Sequence, residues 1–305
     1  MSQIVVGLGP VATNIVQPVL GPAIKYIEEP TEADLSQASG AIVRANYKFD
    51  ASVFEKMPKL KVIGRTGVGT DLVDLKIADD KKIPVVITPG SNTIAVAEGT
   101  FAHLLALSKR IKPLTKLVAQ GEWSNRTSYA VGDLAGNVLG IIGFGRIGRE
   151  VSKFATAFGL KVKAYDPFVE VPSELKASIE EIFKTSDYLT LHIPLTAENV
   201  NLINAKSLAS MKDGINIVNC SRGALINLDD ALAALKSGKL GGLGLDVFDP
   251  EPPQHHEIFD HENVLLTPHV MGLSKQSTVA TFIDAAQGVR DVLEGKAAKA
   301  IANLK

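Results

Sequence analysis

Three residues stand where carbonyl chemistry would need them. Arg222 follows a β-branched run over 215–220, Glu251 lies in the turn-forming stretch DVFDPEPP, and His269 follows Pro268 after the next apolar run. A guanidinium binds a carboxylate through two parallel hydrogen bonds. A histidine can exchange a proton with an alkoxide near neutral pH, and a nearby carboxylate raises its pKa and fixes its tautomer. The set predicts interconversion of a 2-hydroxy acid and a 2-keto acid, with these three as catalytic residues.

The stretch VLGIIGFGRIGRE predicts a dinucleotide-binding turn. Gly143, Gly145 and Gly148 form a G-x-G-x-x-G triplet between a strand expected over 138–142 and a helix expected over 146–158. The first glycine allows the tight turn, the second lets a pyrophosphate approach the backbone, and the third lets helix and strand pack closely. The helix start, with Arg146 and Ile147, would offer free N–H groups to the phosphates. A glycine turn used only for packing is the alternative.

Asp166 ends the next predicted strand, 18 residues beyond Gly148. Its carboxylate is placed to accept hydrogen bonds from the adenosine ribose hydroxyls, and it would repel a 2′-phosphate. Asp166 therefore favours NAD as the cofactor. An NADPH-dependent reductase is a weaker alternative, since it would favour Arg or Ser at this position.

The ends of the other predicted strands complete the expected cofactor site. Ligands of a doubly wound sheet bind beyond the carboxyl ends of its strands. The residues expected there are His192, Pro194, Cys220, Ser221 and Asp246, and Gly272, three residues after His269, is added to the expected cofactor-binding set. Taken singly, Arg222 could be a surface cation, His269 a loop residue and Glu251 a solvated turn residue. Their shared position at one sheet edge favours the catalytic interpretation.

Charge and composition exclude several classes of protein. The 32 Lys and Arg residues nearly balance 33 Asp and Glu residues, which argues against a dedicated nucleic-acid binder and a polybasic membrane anchor. The single cysteine rules out an internal disulfide, and no apolar run approaches the ~18 residues that would span a bilayer. The histidines lack metal-binding spacings. We expect a soluble, cytoplasmic protein without a metal site.

The elements that must position these residues alternate in type along the chain. Apolar runs over 4–6, 41–44, 61–64 and 84–87 predict buried parallel strands, and six more strands are expected from residue 137 onward. Helical segments lie between them, and two long helical stretches cover about 93–119 and 274–293. This alternation predicts an α/β fold with two doubly wound parallel-sheet domains. We place a substrate-binding domain at 1–95 and 276–305, and an NAD-binding domain at 96–275.

The segments GIIGFGRIG, HIPLT, VNCSRG, GLDVFDPEPP and TPH, in this order and spacing, resemble the NAD-dependent D-2-hydroxyacid dehydrogenases over nearly the whole chain. The resemblance implies a Rossmann cofactor domain, a flavodoxin-like substrate domain, a small-molecule substrate and a homodimer formed through the cofactor domains. It further implies that Arg222 binds substrate, that Glu251 pairs with the acid/base His269, and that Asp246 holds the nicotinamide amide. Met271 stands where many members carry a small residue, and we expect it to shape the nicotinamide pocket.

Within the family, the chain most resembles the short-form members that oxidise 3-phosphoglycerate. Residues 65–69 resemble the family's glycine loop, whose N–H groups bind the substrate carboxylate, and Arg126 is expected to reach the neighbouring subunit's site. The resemblance implies these substrate-binding residues: Arg44, Arg65, Gly67, Val68, Gly69, Asn92 and Arg126. A phosphate in addition to a carboxylate needs more than one cation. The alternatives are a hydroxypyruvate or glyoxylate reductase and a non-catalytic NAD-sensing regulator on the same fold.

Overall fold

The computed structural model describes residues 3–44 and 46–304. The chain divides into two compact units. The first unit comprises Met1–Asn92 and Leu273–Lys305, and the second comprises Thr93–Gly272. The boundaries predicted from the sequence lie three residues further along the chain at both junctions.

The first unit is built on a five-stranded parallel sheet. Its strands are β1 (Gln3–Leu8), β2 (Ile24–Ile27), β3 (Gly40–Val43), β4 (Val62–Arg65) and β5 (Val85–Val86). Its first helices are α1 (Thr13–Leu20), α2 (Glu32–Gln37), α3 (Ala51–Lys56) and α4 (Leu75–Asp80). The strand order β2-β1-β3-β4-β5 is the flavodoxin-like order, which changes direction between β1 and β3. Strand β2 was not among the predicted strands; it lies at the sheet edge, where exposed Lys25 alternates with buried Ile24 and Tyr26.

The second unit is built on a six-stranded parallel sheet. Its strands are β6 (Val138–Ile142), β7 (Lys161–Tyr165), β8 (Tyr188–Leu191), β9 (Ile215–Asn219), β10 (Leu240–Leu245) and β11 (Val264–Leu266), in the order β11-β10-β9-β8-β6-β7. Its helices are α5 (Thr93–Ser108), α6 (Ile111–Ala119), α7 (Arg146–Ala157), α8 (Ile179–Thr185), α9 (Ala205–Ser210) and α10 (Leu228–Ser237). Neighbouring residues Ile141 and Ile142 belong to different buried clusters, so both sheet faces are covered.

A single parallel bridge extends this sheet beyond β7. Ala164 pairs with Lys176, and its N–H and C=O bond to Leu175 and Ala177 at 2.7 and 3.0 Å. The bridge takes the place of the third strand of a Rossmann sheet, whose order runs 3-2-1-4-5-6. A helix-free loop leads from β7 to the bridge. The predicted α/β fold with two doubly wound parallel sheets is confirmed.

The prediction of one helical stretch over 93–119 is wrong, because the structure has two helices there. Helix α5 ends at Ser108, Arg110 adopts a left-handed conformation with φ +51°, and α6 begins at Ile111. Pro113 explains the break, because inside a continuous helix it would lack a donor and clash with the preceding turn. In the first turn of a new helix its missing N–H costs nothing.

Helix α11 (Lys275–Leu293) belongs to the first unit, although it follows the second unit in the chain. It buries Phe282, Ala285 and Val289 in the cluster that contains residues of β1 and β4. A Cβ at Gly64 would lie only 2.6 Å from a Val289 methyl group, so the helix lies very close to the sheet. No helix in the described ranges is long and apolar enough to cross a membrane.

Candidate active site

The glycine triplet forms a turn that leaves no room for side chains at two of its three positions. Gly143 has φ +101°, and a Cβ there would lie 2.5 Å from the His192 carbonyl carbon. A Cβ at Gly148 would lie 2.0 Å from the Gly143 carbonyl oxygen, because α7 packs directly on the end of β6. At Gly145, in contrast, no described residue other than its two chain neighbours has an atom within 4 Å of the Cβ position.

The space above Gly145 is suited to a pyrophosphate. Gly145 is the N-cap of α7, and no side chain in the described part of the chain caps this helix start. The first-turn N–H groups, from Arg146 and Ile147 onward, therefore have no partner within the helix, and the helix dipole favours an anion here. Arg146 is exposed at the same end. These residues fit the phosphates of a dinucleotide.

Asp166 connects the glycine turn to the loop that follows β7. Its Oδ2 accepts a hydrogen bond from the Phe144 N–H at 2.6 Å, and its Oδ1 accepts from Phe168 and Val169 at 2.7 and 2.9 Å. A carboxylate has about four acceptor positions, so about one remains for a ribose hydroxyl. The sequence predicted only the ribose contact; the structure shows that Asp166 also holds the turn itself.

His192 and Pro194 follow β8, at the point where the strand order changes direction. The His192 N–H donates to Ile142 at 2.7 Å, which ties this segment to the end of β6. Both ring nitrogens are buried and have no hydrogen-bond partner among the described residues. Burial lowers the pKa of His192 to about 4, so its ring is neutral. Pro194 is exposed, and the intervening Ile193 carbonyl accepts a hydrogen bond from Ser221.

Arg222 is positioned by its neighbours at the end of β9. The Asn219 side chain accepts from the Ser221 N–H at 3.0 Å and donates to the Arg222 carbonyl at 2.7 Å. The Arg222 guanidinium donates to the Ser221 carbonyl at 2.8 Å. A Cβ at Gly223 would lie 2.1 Å from the Phe248 carbonyl carbon, so the Arg222 segment lies against the Glu251 segment.

Glu251 and His269 form the predicted pair. His269 Nδ1 lies 2.8 Å from Glu251 Oε2, while Glu251 Oε1 accepts from the Phe248 N–H at 3.0 Å. The hydrogen bond to Glu251 raises the pKa of His269. Burial alone would raise the pKa of Glu251, but the hydrogen bonds from His269 and Phe248 outweigh it and the pKa is lowered. A cavity of about 350 Å³, lined mostly by apolar side chains, adjoins the pair.

Asp246 is almost completely buried, with 2 % of its surface exposed. Its Oδ1 accepts from the Thr267 hydroxyl at 2.7 Å and the Val270 N–H at 2.9 Å, and its Oδ2 accepts from the Met271 N–H at 3.1 Å. His103 Nε2 lies 3.2 Å from the Thr267 hydroxyl. Sequence reasoning missed Thr267 and His103; the one available signal was a histidine within the otherwise apolar run 101–107 of α5.

Three further predicted residues surround this region. Burial raises the pKa of the Cys220 thiol to about 12, so it is protonated and a poor nucleophile. Met271 packs against α5, because a Cβ at Gly99 would lie 2.5 Å from its sulfur. Gly272 ends the second unit. No group of three or more His, Cys, Asp or Glu residues within the described ranges is arranged to hold a metal ion.

In the first unit, the buried side chain of Arg65 holds the backbone of the glycine loop, residues 65–69, in place. It is 3 % exposed, and its guanidinium donates to the Gly69 carbonyl at 3.0 and 2.7 Å and to the Arg44 carbonyl at 2.6 Å. Within the described ranges, the N–H groups of Gly67, Val68 and Gly69 donate to no acceptor. This loop can therefore bind an anion through its backbone.

The remaining predicted substrate residues have different environments. Arg44 follows β3 at the switch point of the first sheet, and its guanidinium lies 5.3 Å from the centre of the Phe282 ring. Asn92 is half-buried at the end of the first unit's N-terminal segment. Arg126, in the second unit, is exposed and lies 5.8 Å from the centre of the Trp123 ring.

A turn that fits a pyrophosphate and a carboxylate–histidine pair on one Rossmann-type sheet define an NAD-linked dehydrogenase domain. The chain belongs to the D-isomer specific 2-hydroxyacid dehydrogenase family, because the model of this family's NAD-binding domain matches residues 101–271. The family and the NAD cofactor expected from the sequence are thus confirmed.

Individual relatives show which members of the family the chain is similar to. It is 37 % identical over 309 residues to the D-3-phosphoglycerate dehydrogenase of Methanocaldococcus jannaschii, covering 95 % of this chain and 59 % of that protein. It spans little more than half the length of such relatives. The TT0316 protein of Thermus thermophilus has a TM-score of 0.88 and 32 % identity, over 98 % of this chain and 100 % of that one. The D-lactate dehydrogenase of Aquifex aeolicus, crystallised with NAD and lactic acid, has a TM-score of 0.83 and 29 % identity, over 96 % of each chain.

Proposed function

We propose that this protein is an NAD-dependent dehydrogenase that interconverts 3-phosphoglycerate and 3-phosphohydroxypyruvate, as in serine biosynthesis. The observation that carries the proposal is the 2.8 Å contact between His269 and Glu251, on the same sheet as the glycine turn. The identity to D-3-phosphoglycerate dehydrogenases supports the choice of substrate.

His269 performs the proton transfer. Its Nδ1 is held by Glu251, which leaves Nε2 for the substrate oxygen. In oxidation, Nε2 takes the hydroxyl proton while the carbon loses a hydride; in reduction, the protonated ring returns that proton to the carbonyl oxygen. NAD held at the glycine turn would supply the hydride acceptor for oxidation, and NADH the hydride donor for reduction. Arg222 binds the carboxylate and polarises the carbonyl, and Glu251 stabilises the imidazolium that forms.

The first unit recognises the rest of the substrate. The free N–H groups of Gly67, Val68 and Gly69 bind the carboxylate, with Asn92 as a further polar contact. Arg44 and Arg126 provide positive charge for the phosphate. Arg65 acts indirectly, because its guanidinium is already bonded to the carbonyls that set the loop's shape.

The test is a kcat/KM panel with NADH and four substrates: phosphohydroxypyruvate, hydroxypyruvate, glyoxylate and 2-ketoglutarate. The wild type should prefer phosphohydroxypyruvate. Arg44→Gln should lose at least about tenfold on that substrate and much less on hydroxypyruvate, because a lost charge-assisted hydrogen bond costs roughly 1.5–3 kcal/mol. Lys76→Gln, which removes an exposed charge paired with Asp80 on α4, is the matched control and should leave both substrates unchanged.

One observation favours a second candidate, a reductase of unphosphorylated 2-keto acids. Because Arg65 is committed to backbone carbonyls, fewer cations remain for a phosphate than the sequence suggested. A wild type that prefers hydroxypyruvate or glyoxylate, with equal losses on both substrates in Arg44→Gln, would support this candidate. Tight NADH binding without turnover of any of the four substrates would contradict both and favour a regulator.

We further infer a cytoplasmic homodimer formed through the second unit. Four large apolar side chains are more than half exposed on α6 and the segment after it: Ile111, Val118, Trp123 and Val131. Such a set is typical of a protein interface. Sedimentation should show a dimer, and Trp123→Ser should weaken it; a monomeric wild type would refute this inference.

A further inference from the structure

His269 occupies a backbone conformation that its surroundings must enforce. Its φ is +52°, in the left-handed region that is unfavourable for a residue with a side chain. One carboxylate, that of Asp246, holds the chain on both sides of this residue. It accepts from the Thr267 hydroxyl before His269 and from the Val270 and Met271 N–H groups after it. The conformation of His269 therefore depends on the orientation of the Asp246 carboxylate.

The Thr267 hydroxyl is itself held by His103 on α5. The single hydroxyl proton is donated to Asp246, so His103 Nε2, 3.2 Å away, must donate to the Thr267 oxygen. Nε2 of His103 therefore carries a proton, and burial lowers the pKa of this histidine, which favours the neutral ring. Its Nδ1 is buried with no partner among the described residues, which makes this histidine a costly residue to bury. The bond to Thr267 is the compensation that the structure shows.

Helix α5 touches the same loop at a second point. Gly99 lies one turn before His103, and a Cβ at this position would lie 2.5–2.7 Å from three atoms of the Met271 side chain. The helix therefore supports the loop on both sides of His269, through Thr267 on one side and Met271 on the other. Only a glycine allows the second contact without displacing the methionine.

We propose that His103, Thr267 and Asp246, which we call the α5 clamp, position His269 for proton transfer. His103 fixes the Thr267 hydroxyl, the hydroxyl orients the Asp246 carboxylate, and the carboxylate fixes residues 269–271 so that the imidazole stays on Glu251. His103 and Thr267 are positioning residues, since they act through Asp246 and the backbone. The proposal rests on the proposed function for the reaction that His269 serves.

The test compares two substitutions at Thr267 with a matched control. Thr267→Val keeps the shape and removes the hydroxyl, whereas Thr267→Ser keeps the hydroxyl. Thr190→Val removes a buried hydroxyl from β8 of the same unit that has no partner within the described ranges. Since a misplacement of about 1 Å can cost ~100-fold in rate, Thr267→Val should lower kcat at least about tenfold. Thr267→Ser should recover most of that loss, and Thr190→Val should show none.

His103→Leu should lower kcat in the same way. Combined with Thr267→Val, it should cost no more than Thr267→Val alone, because both act through one carboxylate. If the two losses in kcat added up, His103 and Thr267 would act separately, which would overturn the proposed order from His103 through Thr267 to Asp246.

The pH profile distinguishes positioning from a general loss of folded enzyme. The groups that act on His269 electrostatically are Glu251, Asp246 and Arg222. An imidazole displaced from Glu251 has a lower pKa, so the acid limb of the oxidation rate should move to lower pH in Thr267→Val. A merely structural defect would scale the rate at every pH and leave that limb in place, which would overturn the proposal.

Hydrogen exchange in the ligand-free protein tests the clamp independently of the reaction. Amides 270 and 271 should exchange at least about tenfold faster in Thr267→Val than in the wild type or in Thr190→Val. Unchanged exchange together with unchanged kcat would overturn the proposal. If the wild type turned over no 2-keto acid, the proposed function would fail while the exchange result still decided whether the clamp holds this loop.

Discussion

Alanine substitutions at two glycines of one turn should have different effects: Gly148→Ala should lower the Tm, and Gly145→Ala should weaken NADH binding. In Gly148→Ala the new Cβ would lie 2.0 Å from the Gly143 oxygen, more than 1 Å short of the 3.4 Å at which ordinary contact begins. The obstructing atoms are backbone, so α7 must move away from β6. Overpacking of this kind costs about 1–3 kcal/mol. At roughly 2–4 °C per kcal/mol for a unit of this size, the upper end corresponds to a Tm about 6–12 °C lower.

Gly145→Ala is the matched control within the same motif. Among the described residues, only its chain neighbours come within 4 Å of its Cβ position, and its φ is −70°, so the Tm should change by no more than about 1–2 °C. The added methyl would occupy the space where the pyrophosphate approaches, and NADH should bind at least about tenfold more weakly. Calorimetric melting of the ligand-free protein and NADH titration give the two readouts. Wild-type NADH affinity in Gly145→Ala, or a wild-type Tm in Gly148→Ala, would refute the assignment of these two roles.

Three further outcomes test the site. His269→Ala should reduce kcat by ~10²–10⁴ while NADH affinity survives, as measured by turnover and titration; a smaller loss would mean another proton donor. Glu251→Gln removes the carboxylate that raises the pKa of His269, so the acid limb of oxidation, which requires the neutral ring, should move to lower pH. An unmoved limb would contradict the pairing. Asp166→Ser should shift the ratio of NAD to NADP affinity towards NADP by about 10–150-fold, and should also lower the Tm because three backbone hydrogen bonds are lost.

Helices, strands and turns whose pattern lies within a short stretch of sequence could be predicted. Strand β6 is a buried apolar run, β8 is buried along all four of its residues, and the glycine triplet between β6 and α7 lies where its spacing predicts. Strand β2 has only four residues at a sheet edge, too short to distinguish from a loop. The break between α5 and α6 carried a readable signal in Pro113, which the apolar content of the surrounding helices outweighed.

The sequence does not show which side chains from distant elements contact each other, unless their chemistry and their strand positions already pair them. Glu251 and His269 could be paired because both follow neighbouring strands and their chemistry is complementary. His103 lies more than 160 residues before Thr267, and a histidine in a helix does not indicate which hydroxyl it meets. The commitment of Arg65 to carbonyl oxygens was hidden for the same reason: an arginine looks the same in sequence whether it faces a substrate or the backbone.

The placement of α11 in the first unit has a consequence for how the protein folds during synthesis. The second unit is continuous in the chain, whereas the first unit's core waits for Phe282, Ala285 and Val289. At about 5–20 residues per second, the intervening segment of about 180 residues delays α11 by roughly ten to forty seconds. The strands of the N-terminal sheet are therefore made well before the helix that completes their core, and the part of the sheet that α11 covers stays exposed in the interval. A chain stopped at Gly272 should resist protease within 93–272 and be cleaved within 1–92, and equal protection of both would show that the sheet needs no helix to fold.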